Sequence, residues 1–308
     1  MTVYVTGASG FIGSAAVEAF LEKGEVVRSV SRKLCPVLPL EDNRQILTNR
    51  LFEARWFDEK DSDATIVHCA GLANPRMSFD SLNDIYKSEV QLHVSMVETL
   101  IQKGWKGRLI FLSSGGTVYG DAETLPTPES EPLRPKTAYG LYKVHLENDF
   151  TYLAHTSEIE VVSLRVSNPY GGFVRKAGQG VIPILIDAMR FHRTFQLYGD
   201  GSAERDYIAM KDLCDAIYLA SRTKLDDSSL TLNIGSGRGV SLRHIIALLE
   251  EISGRQLSVA FGPLGENVLR NVLCCDQAKR VLNWSAQISL EDGLSALLEQ
   301  EGLKMDDR

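Results

Sequence analysis

The sequence predicts an α/β protein with a doubly wound parallel sheet and a small mixed α/β lobe. The first observation lies at the amino terminus, where the short apolar run Val3–Val5 leads into Gly7. From Ala15 to Lys23 the apolar residues recur at helical spacing, and Gly24 ends the pattern. Strand, glycine turn and helix therefore follow one another from the start of the chain.

The second observation is that buried strands and helices keep alternating after this unit. Further strands are predicted at Val26–Val30, Thr65–Ala70, Arg108–Leu112 and Val161–Val166, and helices near 81–103 and 138–155. Such alternation is typical of a parallel sheet covered by helices on both faces. The segment 34–60 contains two prolines and shows no clear strand.

The character of the sequence changes after Val166. A loop rich in glycine and basic residues begins at Asn168, and loops beyond the carboxyl edge of a parallel sheet usually build substrate sites. Shorter elements follow at 181–191, 195–198, 212–221, 230–234, 242–253 and 257–261. We expect residues 1–167, completed by parts of 205–235, to form the sheet domain, and 168–308 mainly to form the lobe.

Composition excludes several classes of function. The 308 residues are 44% hydrophobic and 24% charged, and 33 basic against 40 acidic residues give a net charge of −7. An acidic chain without basic runs is a poor partner for nucleic acids or anionic membranes. We see no signal sequence and no apolar stretch of membrane-spanning length, so we expect a cytoplasmic protein.

The cysteines and histidines indicate no metal site. The five cysteines are Cys35, Cys69, Cys214, Cys274 and Cys275. Their number is odd and their spacing is not that of metal ligands, so we expect reduced thiols. The six histidines are scattered and lack the paired spacing of metal-binding helices.

The glycine turn after the first strand predicts a dinucleotide site of Rossmann type. It reads Gly7-Ala8-Ser9-Gly10-Phe11-Ile12-Gly13. Gly7 permits the sharp turn, Gly10 lets backbone amides approach a pyrophosphate, and Gly13 allows close helix packing. Phe11 and Ile12 are counted with this cofactor site, and the amino terminus of the following helix favours the negative charge of the pyrophosphate. The alternative, a turn that binds nothing, is disfavoured by its place between a strand and a helix.

The end of the second strand should distinguish NAD from NADP. An acidic residue there would bind the adenosine ribose, whereas an arginine would pair with a 2′-phosphate. The chain reads Arg28-Ser29-Val30-Ser31-Arg32-Lys33, without an acid. Ser31 and Arg32 are suited to a 2′-phosphate, so NADP(H) is favoured over NAD(H). The alternative is that Arg32 and Lys33 belong to a solvated loop.

Tyr139 and Lys143 form a candidate acid/base pair. They are four residues apart in a predicted helix and so project from one face. An ammonium beside a phenol favours the phenolate and lowers the phenol's pKa. This spacing also arises by chance, and its weight comes from the dinucleotide site upstream.

Several further motifs occur in the order found in one known family. They are Thr6–Gly13, His68–Gly71, Ser113–Gly120, Tyr139 with Lys143, Leu164–Gly171, Arg205–Ile208 and Asn233–Gly237. Together they cover nearly the whole chain and resemble the extended short-chain dehydrogenase/reductase family, in particular its nucleotide-sugar epimerases and dehydratases.

The resemblance implies specific roles around the cofactor. Tyr139 would be the acid/base at a sugar hydroxyl or ketone, and Lys143 would hold the nicotinamide ribose. Ala70 and Gly71 would also contact the cofactor. A serine or threonine usually assists the tyrosine, but its usual position is Gly115 here, so we assign that role to Ser114, with Thr117 as the alternative.

The same segment argues against one branch of the family. Dehydratases that remove water across C5 and C6 carry an Asp-Glu pair where this chain has Gly115 and Gly116. A 4,6-dehydratase is therefore not expected. Glu89 likewise stands where the family usually has asparagine.

The resemblance also implies a nucleotide-sugar site. The residues assigned to it are Asn168, Val181 in the loop 179–183, Tyr198, Arg205 and Arg270. Arg205 suits the diphosphate because its guanidinium matches phosphate oxygens, the alternative being a surface pair with Glu204 or Asp206. A second phosphate arginine is expected at Leu264, and Arg270 is the nearest candidate.

Three functions fit these residues. The first is a nucleotide-sugar 4-epimerase that oxidises C4 transiently and returns the hydride to the opposite face. The second is an NADPH-dependent reductase of a nucleotide-linked 4-keto-6-deoxy sugar. The third is a dinucleotide sensor without catalysis, which would need neither Tyr139 nor Lys143.

Family members usually pair as dimers through two helices per subunit. The stretches 83–103 and 138–155 occupy the corresponding places. The candidate apolar face comprises Leu92, Met96, Leu100, Leu146 and Phe150, with packing in the core as the alternative.

Overall fold

The computed structural model describes residues 1–71, 82–172, 180–263 and 270–305. Gln179 and Leu264, which belong to the expected nucleotide-sugar site, and residue 81 of the expected helix lie outside these ranges.

The strands of the described ranges are numbered in chain order. They are β1 (Thr2–Thr6), β2 (Val26–Ser31), β3 (Gln45–Leu47), β4 (Thr65–His68), β5 (Arg108–Ser114), β6 (Glu160–Val166), β7 (Asn168–Tyr170), β8 (Phe195–Tyr198), β9 (Glu204–Ala209), β10 (Ser229–Ile234), β11 (Gly239–Ser241), β12 (Val259–Gly262) and β13 (Arg270–Asn271).

The α-helices follow the same order. They are α1 (Phe11–Glu22), α2 (Leu82–Ile85), α3 (Gln91–Gln102), α4 (Ala138–Thr156), α5 (Val181–Arg190), α6 (Met210–Arg222), α7 (Leu242–Ser253), α8 (Asp276–Leu282) and α9 (Leu290–Gln300). A π-helical turn, Tyr86–Val90, joins α2 to α3.

Seven parallel strands form the main sheet, in the order β3-β2-β1-β4-β5-β6-β10. The chain runs outward from β1 to β3, returns to pair β4 with β1, and then continues in the other direction. This reversal beside β1 is the topological switch point at which α/β proteins bind ligands. The predicted doubly wound Rossmann-type sheet is confirmed.

Side-chain alternation along the strands explains the two layers of helices. In β1, Val3 and Val5 join the core under α1 and α6, whereas Tyr4 joins the core under α3 and α4. Because successive side chains in a strand point to opposite faces, an apolar strand buries both faces only when helices cover both.

Two local predictions differ from the structure. The segment 34–60, in which no strand was expected, contributes the edge strand β3, whose Gln45 side chain accepts from the Cys35 amide at 2.7 Å. With only three residues, of which Leu47 is exposed although apolar, β3 leaves no periodic pattern. The helix expected near 81–103 is interrupted by the π turn Tyr86–Val90. Apolar periodicity cannot distinguish such a turn from a continuous α-helix.

The smaller lobe packs beyond the carboxyl edge of the sheet. Its strand β9 pairs with β7, β11 and β13, β8 pairs with β12, and α5, α7 and α9 enclose a separate apolar core. Asp206 anchors β9, since its carboxylate accepts from the amides of Ser236, Gly237 and Leu273. Within the described ranges, no helix combines the length and apolar character needed to cross a membrane.

A buried ion pair links α4 to the sheet. The guanidinium of Arg165 on β6 binds the carboxylate of Glu147 on α4 at 2.7 Å and donates to the Tyr119 hydroxyl at 2.9 Å. Tyr119 in turn donates to Asn233 of β10 at 2.7 Å. The Arg165 and Glu147 side chains are only 8% and 5% exposed, so removing one partner strands a buried charge.

We predict that Arg165→Met lowers the free energy of unfolding by about 3–5 kcal/mol, because Glu147 is left buried without its counterion. Urea unfolding followed by circular dichroism measures the change. Lys106→Met is the matched control: it breaks the exposed Lys106–Glu158 pair and should leave the unfolding midpoint nearly unchanged. Equal midpoints for the two variants would contradict the prediction.

Candidate active site

The predicted site residues collect at one edge of the sheet. Because the seven strands are parallel, their carboxyl ends meet there. The glycine turn follows β1, Ser31 ends β2, Gly71 follows β4, Ser114 ends β5 and Asn168 follows β6. Residues far apart in the sequence thus share one crevice, as expected at a switch point.

The glycine turn has a geometry that only glycine permits. Gly7 has φ +70°, and a Cβ atom on it would lie 2.8 Å from the Ala70 nitrogen. A Cβ atom on Gly13 would lie 2.2 Å from the Gly7 carbonyl oxygen. Helix α1 therefore starts close against the turn, with no acidic residue in its first turn. Its amino terminus fits the pyrophosphate of a dinucleotide.

The segment after β4 connects the glycine turn to the catalytic helix. Ala70 lies against Gly7, as the distance above requires, and a Cβ atom on Gly71 would lie 3.6 Å from the Tyr142 hydroxyl of α4. Ala70 and Gly71 therefore lie between the glycine turn and α4.

The two residues assigned to a 2′-phosphate differ in exposure. Arg32 is exposed, whereas Ser31 is 5% exposed and its hydroxyl donates to the Lys33 carbonyl within the same loop. The Ser31 hydroxyl thus already has a hydrogen-bond partner. The positive charge of Arg32 is exposed at the end of β2.

Lys143 lies in a buried position at the centre of the crevice. The side chain is 6% exposed, and its Nζ atom donates to the Leu112 carbonyl of β5 at 2.7 Å. The same atom lies 5.7 Å from the centre of the Tyr139 ring. Burial lowers the pKa of Lys143 to about 8, although the nearby carboxylate of Glu89 acts in the opposite direction.

Tyr139 stands at the start of α4, with its ring perpendicular to that of Tyr142 at a centroid distance of 5.3 Å. Burial, and then the charge of Glu89, raise the pKa of Tyr139 to about 12. Hydrogen bonds from the Ser114 and Tyr142 hydroxyls lower it. Ser114, the residue assigned by sequence to assist Tyr139, is thus one of the groups that lower the pKa of Tyr139. Thr117, the alternative, has a hydroxyl that is buried without a hydrogen-bond partner.

Gly115 is closed to a side chain by its surroundings. A Cβ atom on it would lie 2.6 Å from the Leu273 side chain and 2.9 Å from the Arg165 carbonyl oxygen. Its carbonyl accepts from the Asn271 amide at 3.1 Å. The lobe therefore occupies the space that a hydroxyl at position 115 would need, and Ser114 remains the candidate at the end of β5.

The first strands of the lobe pair Asn168 of β7 with Tyr207 of β9, the strand that also carries Arg205. Asn168 of β7 donates to the Asp206 carbonyl at 2.8 Å, and the Arg205 guanidinium donates to the Glu204 carbonyl at 2.9 Å. The carboxylates of both acidic neighbours are engaged elsewhere, Glu204 with Arg270 and Asp206 with backbone amides. The alternative of a surface pair with either acid is therefore disfavoured for Arg205.

Arg270 does not join Arg205 in this structure. Its guanidinium binds Glu204 at 2.7 Å, and β13 pairs Arg270 with Glu204 and Asn271 with Arg205. Since neighbouring residues of a strand point to opposite faces, Arg270 and Arg205 project from opposite faces of this small sheet.

The remaining two substrate-side residues lie at element ends. Val181 is the first residue of α5, and Tyr198 is the last residue of β8, with 64% of its surface exposed. Neither side chain is fully buried: Val181 is partly exposed and Tyr198 is exposed.

Sequence reasoning missed a chain of buried polar side chains beside Lys143. Thr6, His68, His93 and Glu89 follow one another at hydrogen-bonding or ion-pair distances. His68 belonged to a recognised motif, but no pattern singled out His93. Only the packing of α3 against β4 brings the two rings together.

Neither the cysteines nor the histidines form a metal centre in the residues that the structure describes. All five cysteines fall in those ranges and are free thiols.

We predict that Gly115→Ala lowers the melting temperature, at a cost of about 1–3 kcal/mol from overpacking against Leu273. Gly116→Ala is the matched control, because the nearest atom to its added Cβ would be the Ser114 hydroxyl at 4.0 Å. Thermal unfolding of both variants tests this. If Gly115→Ala were as stable as Gly116→Ala, the Leu273 side chain would have moved aside without measurable cost, and the prediction would be wrong.

Comparisons with known proteins identify the family of this chain. Residues 3–235 match the model of the NAD dependent epimerase/dehydratase family. An Escherichia coli dTDP-4-dehydro-6-deoxyglucose reductase is 29% identical, with 96% of each chain covered. A Thermotoga maritima UDP-glucose 4-epimerase solved with UDP-glucose superposes with TM-score 0.85 at 28% identity, covering 99% of this chain and 100% of that one. The protein MoeE5, solved with UDP-glucose and NAD, gives the same TM-score and identity over 98% and 99%. The chain belongs to the NAD dependent epimerase/dehydratase family.

Proposed function

We propose that this protein is a nucleotide-sugar 4-epimerase that uses a nicotinamide dinucleotide. The observation that carries the proposal is the buried Lys143 ammonium, which lies 5.7 Å from the centre of the Tyr139 ring at the carboxyl edge of the sheet, where β5 ends at Ser114. A phenol, a second hydroxyl and an ammonium that converge beside a dinucleotide crevice are suited to moving a proton at a sugar C4 oxygen. The similarity to UDP-glucose 4-epimerases supports the same reaction.

The chain's own residues would handle the proton. Ser114 donates or accepts a hydrogen bond at the C4 oxygen and orients it towards Tyr139, which takes the C4 hydroxyl proton and later gives it back. Lys143 favours the phenolate during this exchange and holds the ribose next to the nicotinamide. Gly7, Gly10, Phe11, Ile12 and Gly13 hold the pyrophosphate, and Ala70 and Gly71 line the crevice. A nicotinamide held by these residues would supply a reversible hydride acceptor for C4.

The lobe would bind the nucleotide diphosphate. Arg205 is the proposed phosphate ligand, with Asn168 beside it and Val181 and Tyr198 at the ends of neighbouring elements. Arg270 stays a proposed second contact, but it would have to leave Glu204 to reach a phosphate near Arg205. Residues 168–308 are thus proposed as the main substrate lobe and 1–167 as the main cofactor domain.

A reductase of a nucleotide-linked 4-keto-6-deoxy sugar is the second candidate. Two observations favour it: the relative from Escherichia coli carries that activity in its name, and Glu89 raises the pKa of Tyr139. A phenol that keeps its proton is the form that donates to a ketone, which a reductase needs at every turnover.

The choice between NADP(H) and NAD(H) is also a proposal. The lack of an acid after β2 and the exposed charge of Arg32 support NADP(H). The NAD in the MoeE5 structure supports NAD(H). Determining which cofactor the purified protein releases on denaturation distinguishes them.

We further propose a homodimer that uses the outward sides of α3 and α4. The expected apolar face does not serve this purpose, because Met96, Leu100, Leu146 and Phe150 are fully buried within the subunit. Leu92 is partly exposed. A monomer by light scattering would refute the dimer. The free thiols support a reducing compartment such as the cytoplasm.

We predict that Tyr139→Phe lowers kcat by about 10²–10⁴-fold, because the variant has no hydroxyl to exchange the proton. Tyr152→Phe is the matched control: it lies on the same helix, 66% exposed, and should keep full activity. Steady-state assays of both variants measure this. Substantial activity in Tyr139→Phe would show that the Tyr139 hydroxyl is not needed for the reaction.

The two candidate reactions predict different behaviour of the purified protein. An epimerase interconverts UDP-glucose and UDP-galactose and retains one tightly bound cofactor per subunit. A reductase is isolated without cofactor and oxidises NADPH when given a nucleotide-linked 4-keto-6-deoxy sugar. Assaying both reactions and the cofactor content of the same preparation decides between them, and the first outcome excludes the reductase.

A further inference from the structure

Helix α4 carries a third buried polar residue, Glu147, one turn beyond the candidate catalytic pair. Tyr139, Lys143 and Glu147 follow one another at intervals of four residues, so they lie along one face of the helix. Glu147 is 4% exposed and Lys143 is 6% exposed. A buried carboxylate is costly unless it is paired, so the partners of Glu147 indicate what it contributes.

The Glu147 carboxylate binds two neighbouring strands of the main sheet. Its Oε1 atom accepts from the Ser113 hydroxyl of β5. Its Oε2 atom accepts from the Arg165 guanidinium of β6, from Nη2 at 2.7 Å and from Nε at 3.1 Å. Ser113 and Arg165 are partners in the register of β5 with β6. One carboxylate therefore joins α4 to paired residues of both strands.

The same segment of β5 also binds Lys143. The Leu112 carbonyl accepts from Lys143 Nζ at 2.7 Å, the next residue, Ser113, binds Glu147, and Ser114 ends the strand. Successive residues of the strand thus bind successive turns of the helix. The apolar contacts of α4 are non-directional, whereas these hydrogen bonds need a defined geometry. The polar contacts therefore determine how α4 is rotated on the sheet.

Arg165 is itself held in place by further buried side chains. Its Nη1 atom donates to the Tyr119 hydroxyl at 2.9 Å, and Tyr119 donates to Asn233 at 2.7 Å. The Asn233 amide donates to the carbonyl oxygens of Thr127 at 2.9 Å and Cys274 at 3.1 Å. The guanidinium is therefore bound on the side away from α4 as well, and it gives Glu147 a fixed partner.

Stability alone does not account for a buried ion pair at this place. The desolvation of the two charges offsets much of their attraction, and an apolar pair of similar volume is often equally stable. An apolar pair does not supply direction, however. A displacement of about 1 Å can slow a reaction by about 10²-fold, even when its cause lies away from the reacting atoms. Glu147 lies one helical turn from Lys143, where it can prevent such a displacement.

We propose that Glu147 is a positioning residue: bound to Ser113 and Arg165, it fixes the rotation of α4 on β5 and so holds the Lys143 ammonium at the Leu112 carbonyl. The proposal rests on the role proposed above for Lys143, which is to hold the nicotinamide ribose. Glu147 acts through Lys143 and is not itself a catalytic residue.

The first experiment removes both charges in the double variant Glu147→Leu with Arg165→Met. No buried charge is then left unpaired, so the urea midpoint should stay close to that of the unchanged protein, unlike that of Arg165→Met alone. The kcat should nevertheless fall by about 10–100-fold, with the KM for the sugar nearly unchanged. A stable double variant with full kcat would show that the pair is only structural and would overturn the proposal.

A milder variant, Ser113→Ala, removes one hydrogen bond to Glu147 and keeps the ion pair. We expect its kcat to fall by about 2–10-fold, the equivalent of one hydrogen bond. Ser163→Ala is the matched control. Ser163 lies on the same face of β6 as Arg165 and is 1% exposed, and its hydroxyl has no hydrogen-bond partner among the described residues. Equal kcat values in the two variants would also overturn the proposal.

The third experiment needs no sugar, so it separates failure of this proposal from failure of the proposed function. Calorimetric titration of the protein freed of cofactor compares NADP or NAD, whichever binds more tightly, with ADP, which lacks the nicotinamide ribose. Ser113→Ala should weaken binding of the dinucleotide by about 2–10-fold and leave ADP binding unchanged, and Ser163→Ala should change neither. This result would support the proposal even in a protein that is inactive towards sugars. Equal effects of Ser113→Ala on the two ligands, or no effect on either, would contradict it.

Discussion

The burial of the Lys143 ammonium determines the arrangement of the site. A cation removed from water loses its proton unless hydrogen bonds and negative charges compensate. Here the compensation comes from the Leu112 carbonyl of β5, from Glu89 in the π turn and from Glu147 on α4 itself. Three elements must therefore keep fixed positions around one atom. The same atom lies 5.7 Å from the Tyr139 ring, so the positions that maintain the charge also position the acid/base.

The parallel sheet makes this arrangement possible. Because every strand of the main sheet ends at the same edge, the glycine turn, Gly71 and Ser114 meet although more than a hundred residues separate the first from the last. How closely α1 approaches the turn after β1 depends on residues within that turn. Gly7 and Gly13 bring α1 against the turn at distances that no side chain would allow.

The lobe contributes to the candidate site by closing the end of β5. Asn271 donates to the Gly115 carbonyl, and Leu273 fills the space next to Gly115. Leu273 also donates its backbone amide to Asp206, which binds the turn at Ser236 and Gly237. The end of β5, where Ser114 meets Tyr139, is therefore held by the lobe as well as by the sheet. Changes in the lobe can be expected to reach the catalytic hydroxyls through this contact.

The sequence by itself determined the fold, the glycine turn and the Tyr139–Lys143 pair. These depend on short-range patterns, namely apolar periodicity, glycine spacing and an i, i+4 relation, which are legible without distant contacts. Through the resemblance it also pointed to Ser114, whose role stays a prediction. Only the tertiary structure decided which residues lie around the pair. The edge strand β3, the closure of Gly115 by Leu273, the separation of Arg270 from Arg205 and the chain from Thr6 to Glu89 all arise between elements distant in sequence. Their energies depend on burial and contact distance, and no local pattern encodes either.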